Sequence, residues 1–218
     1  MPRYDGVSRS VIKRLPRYYR FLGELLHKDV TRISSRELAQ LMQLTASQIR
    51  QDLNCFGGFG QQGYGYNVAA LHREIGNILG LENATPIILV GAGNLGRTLA
   101  RHMKFEYDGF RLIGIFDSDP ALVGQGVRGL SISGMESLAD FCEEKKPRAA
   151  ILCIPRESAQ KTVELLIQNG IRCFWNFTHF DINLSFEDVI VENVHLGDSL
   201  MTLCYHINAA DGESVSGA

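Results

Sequence analysis

The sequence has little of what marks membrane, secreted or metal-binding proteins. In its 218 residues no apolar run approaches the ~20 residues of a transmembrane helix, and the polar, arginine-bearing N-terminus has no signal-peptide core. Its five cysteines show neither a C-x-x-C pair nor the histidine spacing of a zinc site: Cys55, Cys142, Cys153, Cys173 and Cys204. These absences predict a cytoplasmic protein with reduced thiols, no membrane partner and no metal, and they leave a redox-sensing role open for Cys55 alone.

A net charge of −2 conceals opposite charges in two parts of the chain. Residues 1–75 carry 11 Lys/Arg against 6 Asp/Glu, a net charge of +5, whereas residues 76–218 carry 11 against 18, a net charge of −7. A basic segment on an acidic body is typical of a polyanion-binding module attached to another domain. The hydrophobic content of 45% is enough for two separate cores.

The basic segment has the pattern of short helices in quick succession. Residues 11–26 place five apolar side chains on one helical face, and Pro16 is expected to kink this helix or start it afresh. These side chains belong to Ile12, Leu15, Tyr19, Leu22 and Leu26. Capping boxes at 34–37 and 45–48 then mark two helix starts. Because only a short turn near 43–44 separates them, the two helices form a helix-turn-helix candidate.

The second of these helices carries polar side chains suited to reading DNA. Ile49 and Leu53, at i and i+4, are expected to face the core. The remaining polar residues have donors and acceptors that match base edges or phosphates in a major groove. They are Ser47, Gln48, Arg50, Gln51 and Asn54. For this helix alone, a solvated polar face is the alternative interpretation.

Residues 56–66 interleave glycine, glutamine and four aromatic side chains. This composition favours a tight β-hairpin with a thin tip over a flexible linker, because a solvated coil has few aromatics. A hairpin that follows a helix-turn-helix is a wing, and its tip can enter a narrow groove. The wing residues predicted to contact DNA are Phe59, Gly60, Gln61, Tyr64 and Tyr66.

A glycine-rich turn follows an apolar run at 87–90 and precedes a predicted helix. In a G-x-G-x-x-G turn the first glycine permits the bend, the second lets backbone N–H groups approach a pyrophosphate, and the third lets the helix pack on the strand. The pyrophosphate then lies at a helix N-terminus, where free N–H groups favour an anion. The predicted cofactor-binding residues of the turn are Gly91, Ala92, Gly93, Asn94, Leu95 and Gly96.

Asp117 ends the next apolar run, 26 residues after Gly91. An acid near the usual spacing of roughly 20 residues can accept hydrogen bonds from both adenine-ribose hydroxyls. Its charge would repel a 2′-phosphate, so the sequence predicts NAD(H) rather than NADP(H). The alternative is a surface turn formed by residues 117–120.

The rest of the chain favours an α/β fold with a doubly wound parallel sheet. Residues 149–154 and 171–174 have the pattern of buried strands, and 158–168 that of a helix. Ile154 and Pro155 follow a strand at its carboxyl end, where open α/β sheets bind ligands, so they are predicted to line the cofactor site.

In this order the motifs resemble those of the Rex family of bacterial redox-sensing transcriptional repressors. The resemblance covers roughly residues 8–207, and because its motifs span both predicted domains, the combination is more specific than any one of them. It is carried by the segments 13–16, 18–19, 48–53, the wing, 91–96 and 175–178.

The resemblance implies a homodimeric, non-enzymatic repressor that binds double-stranded DNA at a palindromic, AT-rich operator. It implies that NAD⁺ permits operator binding, that NADH releases the protein, and that Arg9 and Arg14 also contact DNA. The expected division is a winged-helix domain at 1–80, a Rossmann domain at 81–193, a C-terminal helix at 194–208 and a disordered tail at 209–218. The family exchanges this last helix between subunits. An apolar stripe fits that exchange and also fits packing within one protomer: Leu196, Leu200, Leu203 and Ile207.

Two histidines depart from the family pattern. His102, counted here with the cofactor site, stands where several members have a tyrosine near the nicotinamide. His195 stands where they have an aspartate that pairs with an arginine of the winged domain, matched here by Arg14. Because an Arg–Asp pair cannot form with histidine, a rewritten or lost contact is one expectation, and ordinary polar histidines the other. The alternative function is an NAD-dependent oxidoreductase with an accessory basic domain.

Overall fold

The computed structural model describes residues 7–57, 59–61 and 64–215, which divide into two compact units between Asn83 and Ala84. The N-terminal unit has four helices and three short strands in its described part: α1 (Arg9–Leu26), β1 (Arg32–Ile33), α2 (Ser35–Met42), α3 (Ala46–Asn54), β2 (Gly60–Gln61), β3 (Gly65–Asn67) and α4 (Val68–Leu79). The strands form an antiparallel sheet in the order β1-β3-β2. A helix-turn-helix followed by a small hairpin is a winged helix, as the sequence predicts.

Helix α1 differs from its sequence prediction mainly in its buried face. It continues through Pro16, so the helix does not start afresh there, and Ser8 caps its first turn by accepting from the Val11 amide. Val11 is buried in place of Ile12, which is 40% exposed. Tyr18 is buried in place of Tyr19, which is half-buried. The buried side chains of α1 are Val11, Leu15, Tyr18 and Leu22, which recur at helical spacing.

The two predicted capping boxes have different outcomes. At α2 the box is complete, since Ser34 accepts from the Glu37 amide and the Glu37 carboxylate accepts from the Ser34 amide. At α3 only half of it forms, because Thr45 accepts from the Gln48 amide while the Gln48 side chain turns elsewhere. The second box was therefore wrong in its reciprocal half.

The C-terminal unit is a seven-stranded sheet with helices. Its elements are β4 (Thr85–Val90), α5 (Asn94–His102), β5 (Phe110–Asp117), β6 (Gly126–Val127), β7 (Leu130–Gly134), a 3₁₀ turn (Met135–Ser137), α6 (Leu138–Lys145), β8 (Ala149–Leu152), α7 (Arg156–Gln168), β9 (Cys173–Asn176), α8 (Ile182–Ser185), β10 (Ile190–Asn193) and α9 (Leu196–Val215). The strand order is β10-β9-β8-β4-β5-β7-β6, and every pair is parallel except β6 with β7. This is the doubly wound arrangement that the sequence predicts.

The central strand β4 and its two neighbours define the crevice of the sheet. Ile88 and Val90 pack into one core, and the alternate residues Ile87 and Leu89 pack into the core on the other face. Val90 pairs with β5 on one side and with β8 on the other. Because β5 lies on one side of β4 and β8 lies on the other, the order in which strands are added reverses at β4, and this switch point forms the crevice where such sheets bind ligands.

Helix α9 extends further than the sequence predicts. The expected disordered tail at 209–218 is wrong for 209–215, because α9 continues to Val215, and two consecutive alanines at 209–210 favour that continuation. The apolar side chains of the predicted stripe are all more than half exposed. In the part of the chain that is described, we find no helix with the length and apolarity to cross a bilayer.

Candidate nucleotide site and nucleic-acid interface

The glycine-rich turn after β4 has three glycines with three different environments. Gly91 has φ of +99°, and a Cβ there would collide with the Cys153 carbonyl group. At Gly96 a Cβ would collide with the Gly91 carbonyl oxygen. At Gly93 a Cβ would meet no atom within 4 Å, so this glycine faces open space. The first and third glycines are required by packing within the protein, whereas the second leaves room for a ligand.

Helix α5 begins at this open space. Its N-cap is Gly93, which supplies no side-chain capping bond, so the first N–H groups of the helix have no helical acceptor. Asn94 and Leu95 are exposed, whereas Ala92 is buried and its N–H is used by Asp117. Free N–H groups and the helix dipole favour an anion here, and they belong to the first helical turn rather than to Ala92.

Asp117 lies at the end of β5, beside the glycine-rich turn. One carboxylate oxygen accepts from the Ala92 amide at 2.5 Å, and the other accepts from the Asp119 amide at 2.8 Å. The bond from the Asp119 amide closes a turn, as the alternative interpretation of residues 117–120 expects. The same carboxylate also lies beside the glycine-rich turn. Each oxygen keeps a lone pair that can accept from a ribose hydroxyl.

The end of β8 forms the opposite wall. Ile154 lies against the Gly91 turn, and Pro155 is exposed as the N-cap of α7. Cys153 is half-buried there, and burial raises the pKa of its thiol to about 12. A thiol with that pKa stays protonated and is a poor nucleophile. His102 is the exposed last residue of α5, at the opposite end of that helix from Gly93.

The second candidate site is the exposed face of α3. Ser47, Arg50, Gln51 and Asn54 are exposed there, Gln48 is half-buried, and Ile49 and Leu53 are buried, as the sequence predicts. The Arg50 guanidinium donates to the Ser35 hydroxyl at 3.1 Å, which holds it close to α2. Arg9 is exposed at the start of α1.

Sequence reasoning assigned no role to Asp52, which is fully buried on α3. The guanidinium of Arg14 donates to both of its oxygens, at 2.6 and 2.7 Å, and the Tyr18 hydroxyl donates at 2.9 Å. The Gln48 side-chain amide adds a fourth bond at 2.8 Å. The signal was its spacing, since position 52 shares the helical face of Ile49 and Leu53. Arg14, predicted to contact DNA, has its guanidinium occupied here.

The wing is present as the hairpin of β2 and β3, and its residues divide between surface and core. Tyr64 is 68% exposed, and Arg32 lies over its ring and donates to its carbonyl oxygen. Tyr66 was predicted to contact DNA, but β3 turns its side chain into the core, where it is only 8% exposed. Phe59 packs partly against the same core, and Gly60 and Gln61 form β2. Residues 58, 62 and 63 of the predicted wing lie outside the described residues.

His195 lies just before α9 in a polar cluster. Its Nδ1 atom is 3.6 Å from an Asp198 carboxylate oxygen, and its ring centroid is 5.6 Å from that of His179. Its Nε2 atom is buried and makes no hydrogen bond to the described residues of the chain.

These two units define a class of two-domain regulator, in which a winged helix-turn-helix is joined to a Rossmann-type nucleotide-binding unit. A family model named putative DNA-binding protein N-terminus matches residues 6–54, and a model named CoA binding domain matches residues 82–180.

Relatives of known family match nearly the whole chain. The redox-sensing transcriptional repressor Rex of Clostridium botulinum is 49% identical over 97% of this chain and 100% of its own, and that of Thermoanaerobacter pseudethanolicus is 51% identical over 95% and 92%. The chain therefore belongs to the Rex family of redox-sensing transcriptional repressors, and it is a regulator rather than the oxidoreductase of the alternative hypothesis.

Solved structures give the same assignment. RSP, a Rex-family repressor, in complex with NAD⁺ and operator DNA, has a TM-score of 0.88 at 50% identity, covering 97% of both chains. RSP in complex with NADH has a TM-score of 0.88 at 48% identity, covering 96% of this chain and 98% of its own.

Proposed function

We propose that this protein is a repressor that binds operator DNA in its apo or NAD⁺ state and leaves it when NADH binds. The observation that carries the proposal is the open space at Gly93, which faces the free N–H groups of α5 with Asp117 beside it. RSP, with the same fold, is described in complex with NADH and with NAD⁺ and operator. NAD(H) acts as an effector, and no residue needs a catalytic role.

In this proposal the pyrophosphate lies against the first turn of α5, and Asp117 accepts from the adenine ribose. The other wall is formed by Ile154 and Pro155 at the end of β8, which leaves the nicotinamide toward the sheet's carboxyl edge. The residues fit the ligand because no protein atom lies within 4 Å of a Cβ placed at position 93, which leaves room for a pyrophosphate to approach the backbone there. His102 remains a proposed nicotinamide contact, and it ends α5 at the opposite end of the helix from Gly93.

Replacing Asp117 with alanine should weaken NADH binding by about tenfold, as the loss of hydrogen bonds to a charged acceptor does, and should narrow the preference over NADPH. Asp117→Asn is the matched variant, because it removes the charge and keeps one acceptor oxygen, while its NH₂ group replaces the second acceptor. It should narrow the preference for NADH over NADPH with a smaller loss of NADH affinity than Asp117→Ala. Direct titration of both nucleotides measures this, and a wild-type preference for NADPH would contradict the role of Asp117.

The exposed face of α3 is proposed to enter the major groove, with Tyr64 and the wing reaching the neighbouring groove. Arg50 has the strongest base-reading chemistry in the set because its guanidinium can donate twice to guanine. Ser47, Gln48, Gln51 and Asn54 surround it on the same exposed face. Arg9 extends the positive surface at the start of α1.

Replacing Arg50 with alanine should weaken operator binding by about 1–3 kcal/mol and relax the preference at one base pair. Arg172→Ala is the control, because it removes an equal charge from an exposed site on the other unit. Binding isotherms at fixed salt measure the difference. If the two variants bind operator with equal affinity, Arg50 does not contact bases in the major groove.

We propose that a second copy of the chain covers α9 in a homodimer, with the helix exchanged between subunits. The apolar side chains of α9 are exposed together along one helix, and an uncovered apolar surface of this kind marks an interaction site. A two-fold dimer would present two α3 helices, so its operator would be palindromic. Sedimentation equilibrium should give twice the mass of 24.2 kDa for the chain.

The two histidines should weaken the NADH response or make it sensitive to pH. Neither imidazole can supply the phenol hydroxyl of the family's tyrosine or the fixed negative charge of its aspartate. His102→Tyr combined with His195→Asp should therefore strengthen the release of operator by NADH. A strong wild-type response that the double variant leaves unchanged, and that is the same at about pH 6 and about pH 8, would show that neither histidine limits it.

A DNA-shift assay tests the proposal as a whole. With an AT-rich palindromic operator, the wild-type protein should form a complex alone and with NAD⁺, and NADH should dissolve it. A complex that persists in saturating NADH would leave a DNA-binding nucleotide protein that is not a redox switch.

A further inference from the structure

The bond between Gln48 and Asp52 replaces a bond that local sequence favours. Gln48 occupies the third position of α3, where its side chain would normally return to the Thr45 amide and complete the capping box. Instead its Nε2 atom donates to Asp52 at 2.8 Å, one helical turn further along. At Ser34 and Glu37 the complete box forms, whereas at α3 the side chain that would complete it donates instead to the buried Asp52 carboxylate.

Asp52 can hold the Gln48 amide in only one orientation. Burial alone would raise the pKa of Asp52, but the hydrogen bonds from Arg14, Gln48 and Tyr18 lower it below the ordinary value, so the carboxylate is ionised. An ionised carboxylate only accepts hydrogen bonds. The amide nitrogen of Gln48 must therefore face Asp52, and its carbonyl oxygen cannot exchange places with it.

The carboxylate itself is held in place by groups that do not depend on Gln48. Arg14 binds both of its oxygens and Tyr18 binds one, and both residues belong to α1. Gln48 is half-buried on the part of α3 that also carries Ser47 and Gln51. The orientation of this half-buried amide is thus fixed from inside the domain.

We propose that Asp52 is a positioning residue for base recognition, which fixes the Gln48 amide so that its oxygen accepts from an exocyclic amino group of adenine or cytosine. This rests on the proposed function, since it requires α3 to lie in a major groove. Adenine and cytosine present amino donors there, whereas guanine and thymine present acceptors in the matching places. An amide free to flip would distinguish these two groups of bases less well.

The test uses the full chain and operators selected from a randomised double-stranded DNA library, followed by single-base-pair variants of the selected operator. In the wild type, one base pair per half-site should require adenine or cytosine by about tenfold, the range of a good side-chain contact. Gln48→Met should abolish this requirement. Asp52→Asn should abolish it at the same base pair, because asparagine both donates and accepts, and the double variant should show no further loss.

Tyr18→Phe is the matched control, because it removes a bond to the other carboxylate oxygen and leaves the Gln48 bond in place. It should lower thermal stability and keep the base requirement. If Asp52 had only a structural role, the loss of stability and the loss of the base requirement would occur together. The inference would be overturned if Asp52→Asn kept the base requirement that Gln48→Met loses. A Gln48→Met variant with the wild-type base profile would overturn it as well.

A measurement on the wild type covers the case in which Asp52→Asn does not fold. The side-chain amide hydrogens of Gln48 should exchange with solvent more slowly than those of Gln51, which is exposed on the same helix. Equal exchange rates would show that the Gln48 amide does not donate to Asp52 in solution, and this would overturn the inference. A wild-type protein that selects no operator from the library would instead contradict the proposed function, and this inference with it.

Discussion

Replacing Arg14 with leucine is expected to lower the free energy of unfolding of the N-terminal unit by about 3 kcal/mol. The Asp52 carboxylate is fully buried, and Arg14 supplies two of its four hydrogen bonds. Without the guanidinium, folding would bury a charge with only the Tyr18 hydroxyl and the Gln48 amide for compensation. Chemical denaturation monitored by circular dichroism measures this loss.

Arg36→Leu is the control for this substitution, because Arg36 is exposed on α2 and its loss should change stability by less than about 0.5 kcal/mol. The effect of Arg14→Leu should also depend on pH. The folded pKa of Asp52 lies below its ordinary value of 3.8, so its contribution to stability is present above that pH and lost as pH falls through the folded value. The difference between wild type and Arg14→Leu should therefore narrow in acid, and a constant difference would contradict the role of the carboxylate.

Two glycine-to-alanine substitutions in the same turn are expected to change different properties, one the stability of the fold and the other the affinity for NADH. Gly96→Ala should lower the free energy of unfolding by about 1–3 kcal/mol, because the new Cβ would collide with the Gly91 carbonyl oxygen and the backbone must move. Gly93→Ala should leave stability close to that of the wild type, because no protein atom lies within 4 Å of its Cβ. It should nevertheless weaken NADH binding by at least about tenfold, since the methyl group occupies the space of the pyrophosphate.

Thermal unfolding without nucleotide and NADH titration of both variants separate these effects. If Gly93→Ala binds NADH like the wild type, the pyrophosphate does not approach this glycine. If Gly96→Ala is as stable as the wild type, helix α5 does not pack on the turn as closely as the structure has it.

The sequence predicts those parts of the fold and of the candidate sites that depend on local pattern. The glycine-rich turn, its strand and the acid after β5 are contiguous signals, and Ile49 and Leu53 follow directly from helical spacing. The doubly wound sheet follows from strands that alternate with helices. The order of motifs along the chain also indicates the Rex family.

Other features depend on contacts between residues far apart in the chain. Arg14 and Asp52 are 38 positions apart, and no local pattern on α3 shows that a buried carboxylate there receives an arginine from α1. The same carboxylate also accepts from the Gln48 side chain, which therefore does not complete the Thr45 capping box. Tyr66 looked like Tyr64 in sequence, and only the pairing of β3 between β1 and β2 places its ring in the core.

The NADH site and the operator-binding site of this repressor are expected to be linked by a free energy of coupling. An effector shifts an equilibrium only by its different affinities for the two states, so the coupling must be reciprocal. The direct measurement is NADH titration of the full chain with and without saturating operator DNA, compared with operator titration with and without saturating NADH. Operator should lower NADH affinity by the same factor by which NADH lowers operator affinity, and NAD⁺ should show no comparable effect. NADH affinity that is unchanged by saturating operator would contradict the account.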